Sequence, residues 1–173
     1  MITKSSASRV SIARSLIALA AAVATLGGAA HIGFAKSTGP FSSLTGSWSG
    51  SGQARLDGGR SETLKCKASY TDRNDGAGLG ISLRCAGAAA GSIDLRASLA
   101  SNGGRVSGSW EERQYNASGS VTGQVSGNRI SVSINGGGLN GTMNVTTNGS
   151  SQSVQISTDS GTFKGMNIGL SRN

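Results

Sequence analysis

The sequence predicts an all-β protein: an antiparallel up-and-down meander of about 8–10 strands closing into a barrel, with a two-sheet β-sandwich as the alternative. Three observations predict it. Apolar and polar residues alternate over nearly all of residues 44–173, as where Ile93, Leu95, Ala97 and Leu99 interleave with Asp94, Arg96 and Ser98. A period of two marks strands with one buried and one solvated face. Turn-forming pairs, among them Gly127-Asn128 and Gly149-Ser150, punctuate the alternation at hairpin spacing. Finally, Leu44-Thr-Gly46-Ser-Trp48, Val106-Ser-Gly108-Ser-Trp110, Val121-Thr-Gly123-Gln-Val125 and Leu139-Asn-Gly141-Thr-Met143 repeat one pattern, a glycine between two apolar residues on the same face. A mid-strand glycine on the inward face is commonly placed where a strand must bend, and its recurrence strand after strand suggests a sheet coiling into a barrel.

The elements follow in order: about ten strands, at 44–56, 60–70, 79–86, 92–100, 104–114, 118–126, 129–135, 139–147, 151–158 and 162–171. Glycine supplies 28 and serine 30 of the 173 residues, a share that suits a low-complexity chain. The strict alternation, and a single proline at Pro40, argue for order instead.

Each turn fixes a register. Centring on Gly127-Asn128 opposes Val125 with Ile130, Gly123 with Val132 and Val121 with Ile134. Centring on Gly136-Gly137 opposes Ile134 with Leu139, Val132 with Gly141 and Ile130 with Met143. Centring on Gly149-Ser150 matches Val145 with Val154 and Met143 with Ile156. A slip of one residue would ruin all of these matches. Between Asp159 and Met166 the parity breaks, which predicts a bulge or an odd-length loop.

The Asp75-Gly76 turn pairs Tyr70 with Ile81, Ala68 with Leu83 and Cys66 with Cys85. Directly opposed residues have Cα atoms about 4.5–5.5 Å apart, within disulfide reach. Cys66 and Cys85 are the only cysteines, and the sequence places them in an exported chain, so a bridge is expected.

Residues 1–35 read as a secretory signal peptide. Lys4, Arg9 and Arg14 precede an apolar run over 15–26, and the small residues Gly33 and Ala35 precede a cut before Lys36. Residues 36–43 then form a short N-terminal linker, and 44–173 a single β-barrel domain, periplasmic or secreted and with no transmembrane segment after cleavage. The leader removes three basic residues, taking the formal charge from +8 to +5. It also removes His31, the only histidine, and with it Ser-His-Asp and Cys-His catalysis and histidine metal sites. An outer-membrane barrel is disfavoured. Six aromatics remain after the leader, too few for girdles, and Lys65, Lys67, Arg84 and Arg96 fall on the outward phase.

Leu44-Thr45-Gly46-Ser47-Trp48, at the start of the first strand, resembles the Gly-x-Trp opening of calycin barrels such as lipocalins, fatty-acid-binding proteins and avidins. The resemblance implies that Trp48 closes one end of the barrel beneath a late basic residue. Arg172, in phase with Met166, Ile168 and Leu170, is the residue that would lie over it. It further implies a ligand cavity at the other end.

Chemistry-bearing residues are few. Glu111 and Glu112 follow Trp110 but point to opposite faces, so they cannot act on one bond. Glu112 is inward by phase and near a strand end, at a rim. Asp72-Arg73-Asn74-Asp75-Gly76 is one residue short of a calcium loop and reads as a turn. Lys67 sits opposite Arg84, with Lys65 and Arg96 on the same solvated side, where Asp94 can neutralise Arg84. Such a face could attract an anionic polymer, but without interleaved aromatics it gives no support to nucleic-acid stacking.

These readings point to a non-enzymatic exported binding protein without cofactor or metal, its partner a small apolar ligand in a barrel cavity. The alternative is an envelope-interaction or inhibitor module acting through loops or the basic face Lys65/Lys67/Arg84/Arg96, its partner an anionic envelope component. Trp110 and Glu112 join those four as candidate ligand or anion contacts.

Overall fold

The computed structural model describes residues 38–87, 91–159 and 161–173. The expected leader, 1–35, lies outside the described residues. Ten antiparallel strands follow one another around a closed barrel: β1 (Gly46–Leu56), β2 (Ser61–Arg73), β3 (Gly78–Ala86), β4 (Ser92–Asn102), β5 (Arg105–Glu112), β6 (Ala117–Ser126), β7 (Arg129–Gly136), β8 (Leu139–Asn148), β9 (Ser151–Thr158) and β10 (Phe163–Arg172), with β10 pairing back onto β1. The fold is the barrel, and not the sandwich.

Period two does what the sequence implies. In β2 the inward Leu64, Cys66, Ala68 and Tyr70 are buried, while Thr63, Lys65, Lys67 and Ser69 are exposed. The same division runs through β7, where Ile130, Val132 and Ile134 are buried between exposed serines. The core is therefore the barrel lumen, and the outer wall is built of Ser, Thr, Asn, Gln, Lys and Arg, a surface suited to water and not to lipid.

Most registers fall where the turns put them. Val125 opposes Ile130, Val145 opposes Val154 and Cys66 opposes Cys85. One slides. The β7–β8 pair turns on Gly137-Gly138, so that Gly136 opposes Leu139, Ile134 opposes Gly141 and Ile130 opposes Val145. Three successive glycines offer two equally permissive two-residue turns, and a slide of two residues keeps every apolar side chain inside, so polarity does not discriminate between them. The parity break lies at Lys164: Arg55 pairs with Gly165 but Leu56 with Phe163, a bulge on β10.

The repeat's glycines have a steric cause. A Cβ on Gly108, Gly123 or Gly141 would stand 2.1 to 2.2 Å from a carbonyl oxygen of the neighbouring strand. There the adjacent backbone leans into the lumen, so these glycines are where the sheet curls.

The chain enters the barrel through a plug. Residues 42–44, assigned by alternation to the linker and the first strand, form a 3-10 turn, and β1 begins only at Gly46, whose φ of 123° a side chain would resist. Within the expected linker, Phe41 is fully buried. The linker assignment followed from a lack of alternation, which a single anchoring aromatic does not need. The segment docks on the β2–β3 turn, Gly39 donating to Asp75 O and Phe41 to Gly76 O. That turn is the stretch that approached a calcium loop. The Asp72 carboxylate accepts from the Gly76 N–H, and Asn74, Asp75 and Gly76 have φ of 54°, 54° and 84°.

The cysteines are bridged, with Cα atoms 4.1 Å apart and a separation of 19 positions in sequence. A loop of that size is worth about 3 kcal/mol in the chain-entropy account.

Candidate functional site

Alternate strand directions give the barrel two unlike ends. At the first, Trp48 is fully buried and donates from Nε1 to Leu44 O at 2.8 Å. Arg172, its direct partner across β1–β10, places its guanidinium carbon 4.3 Å from the indole centroid and donates to the Thr45 and Ser43 carbonyls. Tyr70 packs edge-on against Trp48, with centroids 6.3 Å apart. Its hydroxyl donates to Gln152 Oε1 at 2.6 Å, and Gln152 Nε2 donates to Thr147 Oγ1 at 3.2 Å. Burial pushes the Tyr70 phenol up to about 12, against a smaller lowering effect of the Gln152 bond. This end is filled and hydrogen-bonded across the lumen.

Toward the opposite end the inward side chains are still apolar but only half-buried: Ile93, Leu95, Ala117, Leu139, Met143 and Phe163. Trp110 stands next to this group, between Ala97 and Gly119 in register. It is 8% exposed, yet its indole N–H has no acceptor. The small neighbours are what admit the ring: a Cβ on Gly119 would fall 2.8 Å from Trp110 Nε1.

Glu112 is a structural peg. It is buried, and its two carboxylate oxygens accept the N–H groups of Asp94 and Tyr115, each at 2.7 Å. These bonds end β5 two residues before the alternation does and tie the 113–116 turn to β4.

Lys65, Lys67, Arg84 and Arg96 take the outward phase and Trp110 and Glu112 the inward one, so the six candidate contacts form two groups on opposite faces of one sheet, although Arg96 and Trp110 sit on adjacent rungs and line one groove. Lys67 opposes Arg84, and Arg84 opposes Asp94. Asp94 lies within 4 Å of Arg84, Arg96 and Arg113. Sequence reading paired Asp94 with Arg84 alone and missed Arg113 because it fixed no register between β4 and β5; continuing Arg96 opposite Glu111 and Leu95 opposite Glu112 sets Arg113 opposite Asp94. It also missed Tyr115, the large hydrophobic that the described structure leaves exposed, at 65%. Among the described residues no cluster of His, Cys, Asp or Glu could hold a metal, and no helix is long and apolar enough to cross a membrane.

No family model matches the sequence, and no curated protein matches it. Solved structures do resemble it. The S-type phycobiliprotein lyase CPES from Guillardia theta aligns over 77% of this chain and 90% of its own, with a TM-score of 0.54 at 11% identity. A de novo designed fluorescence-activating β-barrel covers 79% of this chain and 100% of its own at 12% identity, TM-score 0.45. A redesigned barrel, mFAP1, bound to DFHBI, covers 76% and 95% at 10% identity, TM-score 0.44. At such identity the likeness is one of fold, and at that level the calycin-like resemblance read from Leu44–Trp48 holds.

Proposed function

We propose that this is a non-enzymatic, exported binding protein whose lumen takes a small apolar ligand through the end opposite Trp48 and Arg172. The observation that carries the reading is the orphaned Trp110 N–H beside half-buried apolar side chains. A buried donor without a partner costs about 1–3 kcal/mol, and a ligand oxygen would remove that cost. The ligand class is therefore an apolar molecule with one carbonyl, carboxylate or ether acceptor. The neighbours named for fluorescence activation and for DFHBI share the barrel and add no argument. The lyase neighbour is named as an enzyme, but fold likeness carries no reaction across. Export, with residues 1–35 as the leader and a periplasmic or secreted product, is supported by the cysteine bridge.

Native mass spectrometry of the protein purified from periplasm tests this. The expected result is a chain beginning at Lys36, two hydrogens light for the bridge, carrying a small molecule that is lost on denaturation. Trp110→Phe should then retain less of it. A bare native mass, together with no uptake of neutral Nile red, overturns the reading.

A further inference from the structure

The outer wall carries a feature that the lumen reading does not use. Five cations, Lys65, Lys67, Arg84, Arg96 and Arg113, gather on and beside β2–β4 around Asp94. Asp94 Oδ2 lies 3.5 Å from Arg84 Nε and 3.9 Å from Arg113 Nη1, and Oδ1 lies 3.6 Å from Arg96 Nε. All three distances exceed the roughly 2.7–2.9 Å of a charge-assisted hydrogen bond. Arg96 Nε and Asp94 Oδ1 have no hydrogen-bond partner at all. One carboxylate thus collects three guanidiniums without saturating their donors, and Glu111, the register partner of Arg96, is a further acid on the same outward face. The wall keeps an excess of positive charge, and Lys67 faces Arg84 directly, an arrangement that costs stability on its own.

Lys65, Lys67, Arg84 and Asp94 line a groove of about 1050 Å³ whose lining also includes Ser47, Ser49, Ser69, Ser82 and Ser92, and the Asp94 ion pairs bring Arg96 and Arg113 beside it. The 113–116 turn reaches it through Gln114. Glu112 holds that turn to β4 from inside, and Arg113 N–H donates to Asp94 O. Gln114 lines the groove, and Tyr115 next to it is exposed.

We propose that this wall binds an anionic polysaccharide. Carboxylate or sulfate groups would sit on Arg84, Arg96, Arg113 and Lys67, hydroxyls on the serines, and the apolar face of one sugar ring on Tyr115. Guanidinium forks suit such oxyanions. A nucleic acid would call for several aromatic platforms where the groove's rim has one. An anionic membrane would favour basic residues flanked by insertable apolar side chains, and serines flank these.

The test measures binding of polygalacturonate and dextran sulfate, with uncharged dextran as control, at two salt concentrations. The disulfide-intact protein is compared with K67Q/R84Q, with a charge-matched control, R105Q/R129Q, and with Y115A. Arg105 and Arg129 are exposed and begin β5 and β7, outside the groove. K67Q/R84Q should weaken binding ~tenfold and flatten its salt dependence, while the control pair changes it less than about twofold. Y115A should weaken polygalacturonate binding with the salt dependence unchanged. Equal losses in the two charge pairs would mean a diffuse field and overturn the site. So would absence of polyanion binding, or tighter binding to single-stranded DNA or to anionic phospholipid vesicles.

Discussion

Gly123→Ala separates two accounts of the glycine repeat because they differ in sign. On intrinsic preference, alanine in a strand interior is better than glycine by roughly 0.5–1 kcal/mol. In the barrel, a Cβ at residue 123 would lie 2.2 Å from Ser131 O, 2.6 Å from Val132 Cα and 2.8 Å from Val132 Cγ1. A carbon beside a carbonyl oxygen settles at about 3.3 Å or beyond, so about 1 Å must be absorbed. The atoms to be moved are mainly backbone, in the middle of the β6–β7 ladder. Misfits of this kind cost ~1–3 kcal/mol, and the stiffness of backbone puts this one near the top, at about 3 kcal/mol. For a domain of this size that lowers Tm by roughly 10 °C. The control is Gly169→Ala on the solvent side of β10, where a Cβ would meet nothing within 4 Å, and stability should hold or rise slightly. Urea unfolding followed by tryptophan fluorescence, with the disulfide intact, gives both values. A Gly123→Ala protein as stable as the parent, at an unchanged m-value, would refute the steric origin of the repeat.

Two further outcomes follow from the plugged end. Arg172→Lys keeps the charge but loses the planar group stacked on Trp48 and its fork onto Thr45 and Ser43. It should cost ~1–3 kcal/mol in thermal or urea unfolding and recover less than half of the loss seen in Arg172→Ala. Tyr70 makes stability fall at high pH: its folded pKa of about 12 exceeds the ordinary value of 10. Its contribution is complete below pH 10 and is lost as pH rises from 10 through 12, roughly 2–3 kcal/mol in all. Urea midpoints across that window should flatten in Tyr70→Phe.

What was legible in the sequence is what period two and turn chemistry control. Strand order, the faces and the cysteine pairing depend on parity, and parity survives any error of an even number of residues. That immunity is also why the β7–β8 slide was invisible: both Gly136-Gly137 and Gly137-Gly138 leave Ile130, Val132 and Ile134 inside. Phe41 escaped because a lone anchor has no period. The role of Glu112 escaped because it depends on two backbone N–H groups, of Asp94 and Tyr115, which are brought together by a strand end and a turn. Tyr115 belongs to that turn, so it too was readable only after the peg was seen, whereas Arg113 needed only the β4–β5 register, which sets it opposite Asp94.

The position of the disulfide acquires a reason from the same parity. The candidate lumen site and the candidate wall site use opposite faces of the same strands, so a slip of one residue between β2 and β3 would exchange them. The neighbouring rung, Lys67 against Arg84, is the one that resists correct pairing, by about 0.2–1 kcal/mol for directly opposed like charges. Cys66–Cys85, one rung away, contributes about 3 kcal/mol and exists in a single register. The bridge exceeds the repulsion severalfold. It holds two cations together on the wall while fixing Tyr70, Leu83 and Leu64 in the lumen.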